Sequence, residues 1–143
     1  MGEYERILKM KIGFTGTRQG MSQHQKEALK TILIKNRMPH VVNEFHHGDC
    51  TGADAEAHEI AFDIGFWIVV HPPDNTAARA FQIGHCEKRP KPYLVRDHDI
   101  VDDCDMLVAA PRHNKEVLRS GTWATVRYAR KEGKPVFLLE RGI

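Results

Sequence analysis

The chain has 143 residues, 41% apolar and 28% charged, an ordinary composition for one globular domain that excludes a disordered or fibrous protein. Its 21 Lys plus Arg against 19 Asp plus Glu leave a net charge of +2, so no basic face announces a polyanion and any anion site has to be built locally, from a turn or a helix end. No apolar run approaches the roughly 18 residues of a membrane helix, residues 1–10 are too charged for a secretory signal, and Cys50, Cys86 and Cys104 are a poor disulfide framework, so a cytoplasmic protein without membrane contact is expected.

After an N-terminal extension over 1–10, Ile12-Gly13-Phe14-Thr15 is a short apolar run that meets Gly16-Thr17-Arg18 at once, a strand running into a tight turn. Ser22 and Gln25 have capping-box spacing, and Ala28, Leu29, Ile32 and Leu33 follow at helical period, which predicts a helix over 22–36. A second strand is predicted over 41–47, again ending in a glycine turn, Gly48-Asp49-Cys50-Thr51-Gly52. Thr51 and Asp54 repeat the capping-box spacing before a helix whose stripe of Ala53, Ala57, Ile60, Ala61 and Ile64 stops at Gly65.

The run over 66–70 is nearly all apolar and β-branched, as in a strand covered on both faces, and Pro72 and Pro73 end it. Residues 72–93 read as a long, partly helical loop. A short helix over 94–104, a buried strand over 106–110, a polar loop over 112–120, a helix over 121–132 and a strand over 136–139 complete the chain. Five strands alternating with helices predict a single α/β domain: a Rossmann-like, doubly wound, mainly parallel five-stranded sheet of order 3-2-1-4-5. Its ligand crevice then lies between strands one and four.

Three turns at that sheet edge pair glycine with a hydroxyl: Thr15-Gly16-Thr17-Arg18, the 48–52 turn, and Ser120-Gly121-Thr122. Glycine permits close approach, hydroxyls add donors, and a helix N-terminus favours an anion, so each suits a phosphate. None is G-x-G-x-x-G or G-x-x-x-x-G-K-[ST], which sets aside an ordinary dinucleotide fingerprint and a P-loop. Arg18 and Arg96 are the guanidinium forks for such a phosphate. Asp49 and Asp54 open the second helix, where they either cap it or hold ribose hydroxyls and orient water.

The ordered set Gly13-Phe14-Thr15-Gly16-Thr17-Arg18, His47-Gly48-Asp49-Cys50-Thr51-Gly52-Ala53-Asp54, Arg96-Asp97, the strand from Asp105 to Pro111, and Ser120-Gly121-Thr122 resembles the SLOG superfamily, which includes the DNA-processing protein DprA and the LOG phosphoribohydrolases. The resemblance spans roughly residues 11–139 and is nearest to small stand-alone bacterial and phage members. It implies a Rossmann-like nucleotide-binding fold with the ligand phosphate near Gly121 and Thr122 and the base or ribose toward the first two turns; related proteins often form homodimers, so a homodimer is an expectation here. LOG enzymes carry P-G-G-x-G-T followed by adjacent glutamates. Here a polar insertion separates Pro111 from Gly121, and Ala124 and Thr125 stand at the glutamate positions.

The reading that follows is a domain that binds a nucleoside monophosphate or a nucleotide-derived small molecule through Thr15, Gly16, Thr17, Arg18, Gly48, Asp49, Gly52, Asp54, Arg96, Ser120, Gly121 and Thr122, with no resident cofactor. The enzymatic alternative is a nucleotide N-glycosidase releasing base and ribose 5-phosphate, for which Asp49, Asp54 and Asp97 are the catalytic candidates. A third reading, single-stranded nucleic-acid binding through Lys88, Arg89, Lys91 and Tyr93 with Arg127, Arg130 and Lys131, ranks below both because of the small net charge. Nine histidines raise the question of a metal; His46, His47 and Cys50 are close in sequence and His85 and Cys86 are adjacent, but C-x-x-C and H-E-x-x-H spacings are absent and no metal is expected. Cys50 precedes a helix, which could activate its thiol; an inert buried thiol is the preferred reading.

Overall fold

The computed structural model describes residues 9–142, so 1–8 of the expected N-terminal extension lie outside the described residues. In chain order the elements are β1 (Lys9–Gly16), α1 (Gln23–Asn36), β2 (Val42–His47), α2 (Ala53–Ile64), β3 (Trp67–Val70), a 3-10 turn (Thr76–Ala78), β4 (Cys86–Glu87), α3 (Tyr93–Asp103), β5 (Met106–Ala110), α4 (Gly121–Lys131) and β6 (Val136–Leu138). The strands form one sheet in the order β4-β3-β2-β1-β5-β6, every neighbouring pair parallel.

The sheet therefore has six strands, not five. The additional strand, β4, is two residues long inside the 72–93 segment, too short to show any period, and it pairs only with β3 through Val69–Cys86 and Val70–Glu87. Removing it leaves the predicted order, with the reversal between β1 and β5. The first strand also begins earlier than expected, at Lys9, because its polar residues Lys9 and Lys11 alternate with Met10 and Ile12 on a half-covered pleat.

Strand alternation decides which helix packs where. Ile12, Phe14, Phe45, Ile68, Val70, Met106 and Val108 face one side and bury against Leu29 and Leu33 of α1 and Ala53, Ala57 and Ala61 of α2. Leu107 and Ala109 point the other way, onto Val101 of α3 and Trp123, Val126 and Ala129 of α4. Side chains of Leu or Phe size contribute about 1.5–3 kcal/mol each when fully buried, so these two layers dominate the stability of the fold.

The helix ends follow the sequence in one case and depart from it in another. Ser22 caps α1 with a complete capping box: its Oγ accepts the Gln25 amide at 3.1 Å, and Gln25 Oε1 accepts the Ser22 amide at 3.0 Å. The expected box of Thr51 and Asp54 does not form. Gly52 is the N-cap of α2 without a side-chain cap, and Asp54 Oδ2 instead accepts the Cys50 amide at 3.1 Å. Gly65 ends α2 in the left-handed region, as its position after the alanine stripe predicts. In β3, Ile68, Val69 and Val70 are buried while Trp67 is 46% exposed, so the both-faces-covered expectation holds for three of its four residues.

Candidate functional site

At the carboxyl ends of β1 and β5 the chain opens a cavity of about 520 Å3, within the range of small-molecule sites. β1 delivers Thr15, Gly16, Thr17 and Arg18 to it, and the 48–54 segment delivers Gly48, Cys50 and Asp54. α3 supplies Tyr93, Arg96 and Asp97, and the start of α4 supplies Ser120, Gly121 and Thr122. The three glycine turns thus meet at one rim. Asp49 and Gly52 stand outside the lining.

Asp49 is fully buried and acts on the protein itself: its Oδ2 accepts Arg79 Nε at 2.7 Å and its Oδ1 accepts the Gln82 amide at 2.9 Å, tying the long loop to the end of β2. Gly52 lies under the first turn with φ of +87°, and a Cβ there would overlap the Arg18 carbonyl oxygen. Gly16 is required by packing too, since its Cβ would meet Ala53 Cβ at 2.5 Å.

The three turns differ in what they offer an anion. The Thr17 amide donates to the Ala110 carbonyl at 3.0 Å, and the amides of Asp49, Cys50, Thr51 and Ala53 all donate to protein acceptors. In the third turn, Ser120 Oγ accepts the Trp123 amide at 3.3 Å, while the amides of Gly121 and Thr122 have no acceptor among the described residues. The amides of Arg18, Gly48, Gly52 and Asp54 likewise have no acceptor among the described residues, and what sets the third turn apart is that its two free amides are adjacent at the positive end of α4 beside a capping serine. Nothing lies within 4 Å of a Cβ built on Gly121, and both residues line the cavity.

Arg96 lines the cavity but is engaged. It is 5% exposed; Nε donates to Asp97 Oδ1 at 2.6 Å, and Nη1 donates to the carbonyls of Gly48 and His71. A Cβ on Gly48 would overlap Nη1, so that glycine makes room for the guanidinium. Tyr93 meets both Arg18 and Arg96, whose guanidinium carbons stand 4.9 and 5.3 Å from its ring centroid. By contrast Arg18, Arg112 and Arg119 are exposed at the rim and have no carboxylate partner among the described residues.

Asp54 is 5% exposed. Burial pushes its carboxyl up to about 7, against the lowering pull of Arg96 and the Cys50 amide. Burial likewise raises Asp97, which Arg96 partly offsets. Two buried side-chain polar atoms lack a partner among the described residues, Asp54 Oδ1 and Trp123 Nε1, and both residues line this cavity. Buried polar atoms are almost always paired; an acceptor and a donor without partners in one wall are groups a polar ligand could satisfy. Cys50 is buried and its thiol is raised, by burial first and by Asp54 second, so it is not an activated nucleophile.

Sequence reasoning missed Arg112, His113 and Arg119, because the 112–120 segment shows no periodicity and its polarity alone suggests only a loop. The available signal was its basic content immediately after β5. Thr125, at one of the positions where LOG enzymes carry glutamate, donates to the Gly121 carbonyl at 2.9 Å. Of the basic residues considered for nucleic acid, Lys91 pairs with Asp99 at 2.6 Å and Arg127 with Glu116 at 2.8 Å. No helix among the described residues is long and apolar enough to cross a membrane.

No protein-family model and no curated protein matches the sequence. Solved structures do. The chain is similar to the molybdenum cofactor binding protein from the phototrophic bacterium Rippkaea orientalis, with 18% identity, a TM-score of 0.66, and coverage of 91% of this chain and 76% of that one. It is similar to the molybdenum cofactor carrier protein of Chlamydomonas reinhardtii at 22% identity and a TM-score of 0.62, covering 91% and 76%. It is also similar to the DNA processing protein A (DprA) of Streptococcus pneumoniae, at 17% identity and a TM-score of 0.61, covering 90% of this chain and 50% of that one. The chain has the fold of these proteins. The Rossmann-like architecture implied by the SLOG resemblance is therefore present, and DprA, which that resemblance names, is among the structural neighbours.

Proposed function

We propose that the protein binds a nucleoside monophosphate or a nucleotide-derived small molecule, with its phosphate on the first turn of α4. The observation that carries this reading is the adjacent pair of unengaged amides of Gly121 and Thr122 at a helix N-terminus, in a cavity also lined by Arg18, Arg112 and Arg119, which lack carboxylate partners among the described residues. Helix dipole, free N–H groups and guanidinium forks all favour an esterified phosphate there. The Tyr93 ring and Leu94 give the rim apolar surface for a base, and Asp54 Oδ1 is an acceptor for a ribose hydroxyl. Two of the fold neighbours are named for binding or carrying the molybdenum cofactor, a small molecule, which is in keeping with a binding role.

The test is a thermal-shift panel of nucleoside monophosphates and their derivatives, with Gly121→Val as the control. Binding raises the melting temperature of the parent, and the valine side chain, projecting into the open space, removes the rise. A parent protein whose melting is unmoved by the whole panel rejects the reading.

A second reading is favoured by Asp54 in particular. A carboxyl held near neutrality in a cavity suits a group that activates water at C1′ while the N-glycosidic bond breaks, giving base and ribose 5-phosphate. Asp97 is engaged by Arg96 and Asp49 is buried away from the cavity, which leaves Asp54 as the candidate acid–base. Chromatographic release of free base that disappears in Asp54→Asn supports hydrolysis; intact nucleotide after long incubation with the parent protein leaves binding alone.

A further inference from the structure

On the face of the sheet opposite the Phe14 and Phe45 core, away from the cavity, a second cluster remains unassigned. Adjacent strand residues point to opposite faces, so His46 and His47 separate. His47 enters the other layer, where its Nε2 and His58 Nδ1 are 2.9 Å apart and its Nδ1 accepts the Asp49 amide. His46 instead meets His71, which follows β3, and Asp103, the last residue of α3. The sequence candidates His47, Cys50, His85 and Cys86 are not part of this cluster, whereas His71 and Asp103, distant in sequence, are brought to it by the β3 and α3 ends.

We propose that His46 Nδ1, His71 Nε2 and Asp103 Oδ2 form a binding site for a divalent transition-metal ion of the zinc class, oriented by Glu44. The two nitrogens are 2.8 Å apart, His71 Nε2 is 4.0 Å from Asp103 Oδ2, and all three atoms lie within 4.8 Å of one another. A tetrahedral ion at roughly 2.0–2.1 Å from each ligand needs the two nitrogens about 3.3 Å apart, so the two rings part by about half an ångström, Asp103 moves in, and His71, which here donates from Nε2 to His46, changes to the tautomer with its hydrogen on Nδ1.

The tautomer is set by the neighbours. The Glu44 carboxylate can only accept, so His46 Nε2 carries the hydrogen and donates to Oε1 at 2.8 Å, which leaves the Nδ1 lone pair aimed at His71. A carboxylate behind a ligating imidazole is the arrangement that fixes ring orientation at metal centres. Glu44 and Asp103 together supply two negative charges for a divalent ion. Among nearby cations, Lys91 is paired with Asp99 and Arg96 with Asp97, while Lys9, Lys11, Lys88 and Arg89 line the adjoining cavities. Two cavities, of about 410 and 280 Å3, border the cluster, and Asp103 lines both, so an ion has a route in and a position open to a further ligand.

Chelator-treated full-length protein titrated with zinc alone, against a competing chelator, tests the site, and cobalt substitution reports the ligand type. The expected result is one ion per chain and a cobalt spectrum of nitrogen and oxygen ligation without thiolate charge transfer. Asp103 is partly exposed, so Asp103→Asn folds normally and weakens zinc at least ~10-fold; Glu44→Gln weakens it ~10–100-fold, and His71→Gln removes it. Absence of zinc binding in the parent, affinity unchanged in Asp103→Asn and Glu44→Gln, or a thiolate spectrum from the cysteines overturns the proposal.

Discussion

Asp54 accepts the Cys50 amide at 3.1 Å through Oδ2 while its Oδ1, equally buried, has no partner among the described residues. Burial of this carboxyl at the cavity wall pushes its pKa up to about 7 from the ordinary 3.8, against the lowering pull of Arg96 and of the Cys50 amide. The neutral form is favoured in the folded chain, whereas the unfolded chain ionises near its ordinary value. Stability attributable to Asp54 is therefore greatest in acid, declines as pH rises from about 4 to about 7, and stays low above that. Asp54→Asn removes the decline and is more stable than the parent at pH 8, by up to roughly 4 kcal/mol, since each tenfold change in an ionisation constant corresponds to about 1.36 kcal/mol. Denaturant melts of both proteins between pH 4.5 and 8 check this, and parallel pH profiles would count against it.

Gly52 and Gly121 look alike in sequence, each at the start of a helix, yet they respond oppositely to a side chain. Gly52→Ala combines a positive φ with a Cβ that overlaps backbone, and a loss of about 2–5 kcal/mol is expected from strain and overlap together. Gly121→Ala meets empty space in a helical position and is neutral or stabilising by about 0.5–1 kcal/mol. Urea unfolding separates the two; similar losses in both would contradict the account of α4.

The arginines divide in the same way. Arg119→Ala leaves stability within about 0.5 kcal/mol, and it weakens an anionic ligand by ~10–100-fold if the rim arginines pair with phosphate. Arg96→Ala leaves the Gly48 and His71 carbonyls and the half-buried Asp97 without this donor, a loss of about 3–5 kcal/mol irrespective of ligand. Paired melting and binding measurements on the two variants distinguish a ligand contact from a scaffold contact.

Cys86 is partly exposed, whereas Cys50 is buried with its thiol raised by burial and by Asp54. Alkylation by iodoacetamide at pH 8 followed by peptide mass spectrometry is expected to label Cys86 well before Cys50. Preferential labelling of Cys50 would restore it as a reactive thiol.

The sheet order was legible because β1, β3, β5 and β6 carry apolar runs bounded by glycine or proline, β2, though interrupted by Asn43 and Glu44, runs into a glycine turn like β1, and parallel pairing through helical crossovers admits few arrangements. Ser22 with Gln25, and Gly65 after the alanine stripe, likewise declared their helix ends, since a cap is a contact between near neighbours in sequence. β4 was not legible: two residues carry no period, and only the exposed edge of β3 makes them a strand.

For the site, the sequence determined that glycine turns gather at one sheet edge, because in a parallel sheet every strand-to-helix turn leaves from the same side. It could not say which amides stay free. That depended on partners brought in by folding: Ala110 for the Thr17 amide, Ala78 for that of Thr51 and Thr17 for that of Ala53, while Arg79 and Gln82 take up the Asp49 carboxylate. Whether a polar group is taken up by the protein or left free is settled by what burial brings against it, and for Asp49, Arg96 and the amides of Gly121 and Thr122 only the tertiary structure decided it.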